Sequence, residues 1–404
     1  MDWKSTSIEL TSSLLGARVI FATDEWFAIA DNLLNPNPPT FDPNAYCSQG
    51  KVMDGWESRR RREPGHDWAI IALPFPSTPL GIHIDTAFFT GNYVPRISVQ
   101  GADLSGLEEG DGWIVGGEER KRKGGGVIGT AMTMEQVALA NTQCNGAGEW
   151  FDILAMTPLR SGVPETRIHE FNVDASAKRK ITHIRINYFP DGGVARLKLY
   201  GLVTPGDLRG VKGELSSVVH GGRGVGCTNQ HFGVPSNLLR VNRGVDMGDG
   251  WETARHLRRP PIIKRDPVTG LVDTPLHDWA VLRMGCVVGD VERLVVDTKW
   301  FKGNFPESVS IDYVCEKGGL KAESCLSWKP LLKRIKMGPD AIFNFPLSEL
   351  EITPSTEITH LKLSIFPDGG VSRIRLFGVG RGEIGEDQGG IGGNVPAGWG
   401  GSKL

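Results

Sequence analysis

The chain has no apolar run of about eighteen residues or more, which excludes a membrane-spanning helix of the usual kind. Its first residues, "MDWKSTSIELTSSLLGARVIF", show no basic segment ahead of a long apolar stretch, so no secretory signal is expected. Six cysteines (47, 144, 227, 286, 315 and 325) are scattered without a CxxC pair. That spacing excludes a zinc ribbon and gives no disulfide framework, so reduced thiols in an intracellular protein are expected. Charge of one sign is lacking as well. A formal net charge of −2 gives no global pull toward nucleic acid or an anionic membrane. The two basic runs, "SRRRRE" and "ERKRKGGG", lack interleaved aromatics and read as solvated faces.

Reactive motifs are equally sparse. HxH, HExxH and paired Cys/His spacings are missing, so no metal is expected. No G-x-S-x-G elbow occurs. The Gly-rich "RKGGGVIG" is not followed by the Lys-Ser/Thr of a phosphate-binding loop, and no cofactor is expected.

What the chain does have is glycine, proline and repetition. With 53 Gly and 25 Pro in 404 residues, many short elements joined by turns are expected. The length favours two domains. The stretch "ITHIRINYFPDGGVARLKLYG" (Ile181–Gly201) returns as "ITHLKLSIFPDGGVSRIRLFG" (Ile358–Gly378), with twelve of twenty-one positions identical. Four more pairs keep the same order. They are "TDEWFAIADNLL" with "TNQHFGVPSNLL", "DGWESRRR" with "DGWETARH", "GHDWAIIAL" with "LHDWAVLRM", and "HIDTAFFTGNYVPRISVQG" with "VVDTKWFKGNFPESVSIDY". A long period occurring twice means two homologous domains rather than a solenoid. The boundary is expected near Thr204–Glu214, giving domains of 1–205 and 206–380 and a Gly-rich tail of 381–404.

Period-two alternation through Ile184, Ile186, Leu197 and Leu199 predicts strands with one buried face. The intervening "FPDGG" predicts a hairpin turn whose two glycines take positive φ. Further strands are expected at Trp68–Leu73, Gly81–Phe88 and Arg96–Gly101, with counterparts in the second half. Helices are expected at Thr133–Ala140 and Phe27–Leu34. The chain therefore reads as all-β, two antiparallel sandwiches in tandem.

Several polar residues recur in both copies. Glu57 and Glu252 are candidate catalytic residues, able to accept from ureido-type N–H groups or to act as a general base if desolvated. His66, His277 and His231 are candidate acids. Arg60 and Arg255 present planar forks suited to a carboxylate. Asp54, Asp249, Asn92 and Asn304 complete the expected binding set. Asp54 and Asp249 could equally sit in a turn beside a packed indole. Asp191 and Asp368 read as turn-forming, and Asp85 and Asp297 as loop anchors. The copies are not interchangeable, since Asp24-Glu25-Trp26 becomes Asn229-Gln230-His231. One site is degenerate, or the two contribute unlike parts to one.

Taken together, "TDEWFA…NLL", "DGWE", "HDW", "DTAFFTGN" and "FPDGGV" resemble the allantoicase family, over about Ala17 to Gly378 in both repeats. The resemblance implies two jelly-roll sandwiches of the galactose-binding-like type. It implies hydrolysis of allantoate to ureidoglycolate and urea, and assembly into homo-oligomers. The final Ser402-Lys403-Leu404 matches a peroxisomal address read by an import receptor, and the Gly-rich segment before it would hold the tripeptide clear of the fold. A peroxisomal location fits a pathway that begins with urate oxidation. The competing reading is a tandem carbohydrate-binding module without catalysis, because a sandwich does not fix a function.

Overall fold

A strand of ordinary length runs five or six residues, yet the apolar stretch opening at "DWAIIAL" continues as a single strand over Asp67–Asp85. Its counterpart is Asp278–Asp297. Each long strand is the spine of one unit. The computed structural model describes residues 3–106, 127–260, 262, 264–321 and 328–387. It comprises a unit of Ile8–Thr204 and a second unit from Pro205 onward that also takes in the residues before Ile8.

In the first unit the spine belongs to two sheets in turn. Asp67–Ala72 lies between Arg18–Ala22 and Ile181–Phe189, and that sheet continues through Arg96–Ala102 to Phe151–Pro158. Gly81–Asp85 lies between Ile168–Asn172 and Arg196–Val203, and that sheet ends on Ile8–Glu9. The passage between them, "LPFPSTP", carries Pro74, Pro76 and Pro79 where the ladder shifts register. Proline has no N–H to donate, so it fits where pairing is interrupted. Among the described residues, these strands all pair antiparallel. The second unit repeats the order strand for strand, with Asp278–Asp297 joined first by Arg223–Cys227 and Ile358–Phe366, then by Ile342–Pro346 and Arg373–Gly382. The all-β duplicated sandwich expected from the sequence is therefore what forms.

Between the sheets of the first unit lie Ala69, Ile71, Ile82, Ile84, Ile97, Val99, Ile184, Ile186, Leu197 and Leu199. The first sheet is also covered on its outer face by Met134–Ala147, whose Ala140 and Cys144 pack against Phe21, Trp68, Ile70 and Ala72. That double burial is why "WAIIAL" is apolar without alternation. The helix starts on a capping box, with Gln136 N donating to Thr133 Oγ1 at 3.2 Å and Thr133 N donating to Gln136 Oε1 at 2.8 Å. It runs a further seven residues past Ala140, to Ala147. The helix expected at Phe27–Leu34 is only a 3-10 turn, Ala30–Leu34.

The hairpin expected at "FPDGG" does not form. Ile181–Phe189 and Arg196–Val203 pair with different parts of the spine and not with each other. The connection carries the chain from one sheet to the other. Nor do both glycines take positive φ. Gly192 and Gly369 do, at +130° and +132°. Gly193 and Gly370 are required for another reason. A Cβ there would overlap the rings of Phe89 and Phe301. The aspartate ties down the facing loop, Asp191 Oδ2 accepting from Arg61 N and Asp368 Oδ2 from His256 N, both at 2.9 Å. The strand expected at Gly81–Phe88 stops at Asp85, and Phe88 lies beyond it at φ +69°.

Candidate active site

The crossover brings Gly193–Val194 alongside the short strand Trp56–Glu57, and Gly370–Val371 alongside Trp251–Glu252. The tryptophan of each "DGWE" is fully buried. Trp56 stacks on Tyr188 at 4.1 Å and donates Nε1–H to the Asp24 carbonyl at 2.7 Å. Trp251 donates to the Asn229 carbonyl at 2.9 Å. With the indole turned into the core, strand alternation turns the next side chain the other way.

That side chain is the glutamate, and in each copy it meets an asparagine. Asn92 Nδ2 donates to Glu57 Oε1 at 2.6 Å, and Asn304 Nδ2 donates to Glu252 Oε1 at 2.5 Å. Each asparagine is placed by its own carbonyl, which accepts from Gly193 N or Gly370 N at 2.8 Å. So the crossover glycines, the asparagine and the glutamate form one connected unit, built twice. Burial pushes the Glu57 carboxyl up, and the Asn92 bond offsets part of that. Glu57 is buried, while Glu252 is only partly so.

Behind this pair lies a second carboxylate. Asp67 accepts from Thr23 Oγ1 at 2.9 Å and from Arg61 Nη1 at 2.8 Å. Asp278 accepts from Thr228 Oγ1 at 2.7 Å, and His256 Nε2 stands 3.5 Å away in the place of Arg61. Burial pushes Asp67 up as well.

The remaining candidates divide. Arg60 and Arg255 are exposed and have no hydrogen-bond or ion-pair partner among the described residues, so both remain available to a ligand. Asp54 and Asp249, expected as substrate ligands, have an architectural task instead. Asp54 Oδ2 accepts from Arg196 Nη2 at 2.8 Å and from Thr40 N at 2.8 Å; Asp249 Oδ2 accepts from Arg373 Nη2 at 2.7 Å. Both arginines are buried and hold further loop carbonyls, including those of Asn37 and Asn242. A carboxylate facing a buried guanidinium offsets a charge that would otherwise stand uncompensated. Arg196 and Arg373 recur in "VARL" and "VSRI", but alternation alone would put Arg196 on a solvated face, and nothing in the sequence marked either arginine as buried or named its partner.

His66 bonds through Nε2 to Asn187 Oδ1 at 3.1 Å and lies against Phe189 at 4.6 Å; burial pushes its imidazole down, favouring the neutral ring. His277 is exposed, its Nδ1 is 3.1 Å from the Pro275 carbonyl, and it lies 5.3 Å from Phe366. No contact among the described residues joins either ring to Glu57 or Glu252. His231 is exposed and meets Phe232 edge-on at 4.3 Å. Phe232 itself bridges to Glu252, so this histidine stays near the second pair.

Three residues outside the expected set cluster beside the first pair. Asp24 is buried and ion-pairs with Arg59 Nε at 2.8 Å, and the Arg59 guanidinium lies over the Trp26 ring at 4.6 Å. The changes from Asp24-Glu25-Trp26 to Asn229-Gln230-His231 and from Arg59 to Ala254 were the signals that could have found them. Among the described residues, no group of three His, Cys, Asp or Glu is placed to hold a metal ion. Cys47, Cys144, Cys227, Cys286 and Cys315 are free thiols. The tripeptide Ser402-Lys403-Leu404 lies outside the described residues.

A family model described as the allantoicase repeat matches residues 8–204 and 213–381. The chain is 36% identical over 379 residues to a probable allantoicase of Pseudomonas fluorescens (strain SBW25), covering 92% of this chain and 96% of that protein. It is 37% identical over 377 residues to one of Pseudomonas aeruginosa (strain LESB58), covering 92% and 95%. Among solved structures, the allantoicase of Saccharomyces cerevisiae superposes with a TM-score of 0.63 at 30% identity, over 92% of this chain and 93% of that one.

Proposed function

The chain belongs to the allantoicase family, and from that premise we propose that its Glu–Asn pairs carry the hydrolysis of allantoate to ureidoglycolate and urea. The observation supporting this is the pair itself. A carboxyl group fixed by an amide, at a loop end of the sandwich, stands twice where the same motif predicted a functional residue.

Allantoate carries a carboxylate and two ureido arms on one carbon. The reaction breaks one central C–N bond. The departing ureido nitrogen gains a proton and leaves as urea, and the oxygen of water takes its place on carbon. Glu57, raised by burial, can donate that proton from its free oxygen and, once ionised, accept one from the incoming water. Asn92 or Asn304 fixes the carboxyl group's orientation through the other oxygen. Arg60 and Arg255 are free to meet the substrate's carboxylate, and His231 is free to protonate from the second copy's rim. His66, bonded to Asn187, would have to act through that asparagine or swing away from it.

The test is a urea-release assay on the full-length chain with Glu57→Gln and Glu252→Gln. General acid–base groups contribute roughly 10²–10⁴ in rate. A loss of that size in kcat, with unfolding unchanged, is expected for whichever pair is catalytic. Wild-type turnover in both variants removes the glutamates from the mechanism.

Two further parts of the proposal rest on sequence alone. Recognition of Ser402-Lys403-Leu404 by a peroxisomal import receptor is supported by the motif, and is tested by fusing residues 388–404 to a fluorescent reporter and watching its location. Homo-oligomerisation is supported by the family resemblance, and light scattering of the purified chain decides it.

A further inference from the structure

We infer that Arg59 grips the substrate's carboxylate at the first copy's site, held in a fixed pose by Asp24 and Trp26. The inference rests on the hydrolase reading above and, at the first copy's site, assigns the substrate's carboxylate to Arg59 in place of Arg60.

Arg59 is immobilised from two sides. Its Nε donates to Asp24 Oδ2 at 2.8 Å, and its guanidinium lies over the Trp26 ring at 4.6 Å. Neither contact uses the terminal nitrogens. Nη1 and Nη2 have no partner among the described residues, and the side chain is 45% exposed. What is left is a planar two-N–H edge, the shape that matches both oxygens of a carboxylate. Because the pose is already set, little further side-chain ordering is needed when an acid docks. The residue lies two positions after Glu57. The Trp56 indole, immediately before Glu57, bonds the Asp24 carbonyl at 2.7 Å. Clamp and glutamate thus meet at the short strand Trp56–Glu57, which Arg59 follows by two residues and whose indole is bonded to Asp24.

The second copy is an internal control. Asp24 Oδ1 closes a turn by accepting from Trp26 N at 2.9 Å and Arg59 N at 3.2 Å. Asn229 Oδ1 closes the same turn by accepting from His231 N and Ala254 N, both at 3.0 Å. A neutral amide therefore suffices for the fold, and the negative charge of Asp24 is surplus to it. That charge is replaced in step with its two companions. Where Asp24 becomes Asn229, Arg59 becomes Ala254 and Trp26 becomes His231. The backbone bonds survive and the whole clamp goes. Burying a carboxylate is harder than burying an amide, and a half-exposed ion pair adds little to stability. Fold stability consequently does not account for Asp24 in the first copy, whereas fixing Arg59 does. In this arrangement Asp24 is a positioning residue, and Arg59 is the one that touches substrate.

The experiment uses the full chain with Arg59→Ala, Arg59→Lys and Asp24→Asn, assayed with allantoate and inhibited by its neutral carboxamide analogue. Loss of a charge-assisted contact raises KM by roughly ten- to a hundredfold in Arg59→Ala, with kcat nearly unchanged, as expected for binding shared by ground and transition states. Arg59→Lys recovers only part, because an ammonium cannot fork. Asp24→Asn unfolds at the wild-type midpoint yet raises KM by a smaller factor. The wild-type preference for the acid over the carboxamide shrinks in Arg59→Ala, which a purely structural role would not cause. An unchanged KM and unchanged acid preference in Arg59→Ala overturn the inference while leaving the hydrolase reading intact. Absence of allantoate hydrolysis by the wild-type chain overturns both.

Discussion

At the scale of single residues, the deciding feature is a carboxyl group held between opposing influences. Burial pushes Glu57 up and the 2.6 Å bond from Asn92 pulls it back. Asn92→Leu removes only the second influence, so the Glu57 carboxyl should move further up. If the protonated acid is the working form, activity is present below its folded value and lost as pH rises through it. The alkaline limb of the kcat profile should then lie at higher pH in Asn92→Leu than in the wild type, and a limb that stays in place detaches Glu57 from that step. The sequence marked Glu57 and Asn92 separately, through their recurrence in both copies. It could not show that they touch, because 35 residues and a change of sheet separate them. The same separation hid the partner of Asp54, the Arg196 guanidinium 142 positions away. It also passed over Arg59, because a run of four arginines looks the same whichever of them is tied down.

At the scale of elements, alternation and capping were legible and pairing was not. Ile184, Ile186, Leu197 and Leu199 do share the core face, since side-chain period depends only on local backbone, but the alternate positions expected in water, Arg185, Asn187 and Arg196, are buried as well. Which strands lie side by side depends on the spine, a single element long enough to serve two sheets. Two strands joined by a short connection are neighbours more often than not, and here they are not. The crossover's second glycine makes the consequence measurable. A methyl group at Gly193 would overlap Phe89, a buried ring, so Gly193→Ala should destabilise by about 1–3 kcal/mol, as overpacking usually does. Pairing it with Phe89→Leu should return part of that loss, because the two sites share one space. Chemical denaturation of the two single variants and the double variant measures the coupling. Strict additivity would mean that the glycine is needed for its backbone alone. Since Gly193 N also fixes the Asn92 carbonyl, the single variant should lose activity beyond its loss of stability.

At the scale of the whole chain, duplication was legible because order survives when loops do not, and the family match stops at residue 381. The second unit does not stop there. Arg283 Nη2 donates to the Ile384 carbonyl and Nη1 to the Gly385 carbonyl, both at 2.7 Å. The Asp387 carboxylate then takes Arg283 at 3.0 Å, His360 Nε2 at 3.1 Å, the Leu320 amide at 2.9 Å and Arg223 at 3.2 Å. A tail of glycine and acid gives no hydrophobic pattern, so this clasp could not be anticipated from sequence. Burial alone would push Asp387 up, but the His360 and Leu320 bonds and the Arg283 charge hold it well below the ordinary carboxylate range. Burial pushes His360 down, more than Asp387 raises it. The signs agree. A depressed carboxyl stabilises the fold above its unfolded value of about 3.9, and that contribution is lost as pH falls through the folded value. A depressed imidazole likewise contributes above its unfolded value of about 6.5 and loses that contribution as pH falls toward its folded one. Asp387→Asn leaves the buried Arg283 and the partly buried Arg223 facing a neutral amide, and such a break costs roughly 3–5 kcal/mol. At neutral pH the variant should therefore unfold well below the wild type. The gap should close as pH drops below the carboxylate range, because the wild type then loses the same charge. Equal unfolding midpoints at neutral pH would show that the segment merely rests on the sheet. A gap that stays constant into acid would place the stabilisation in packing rather than charge.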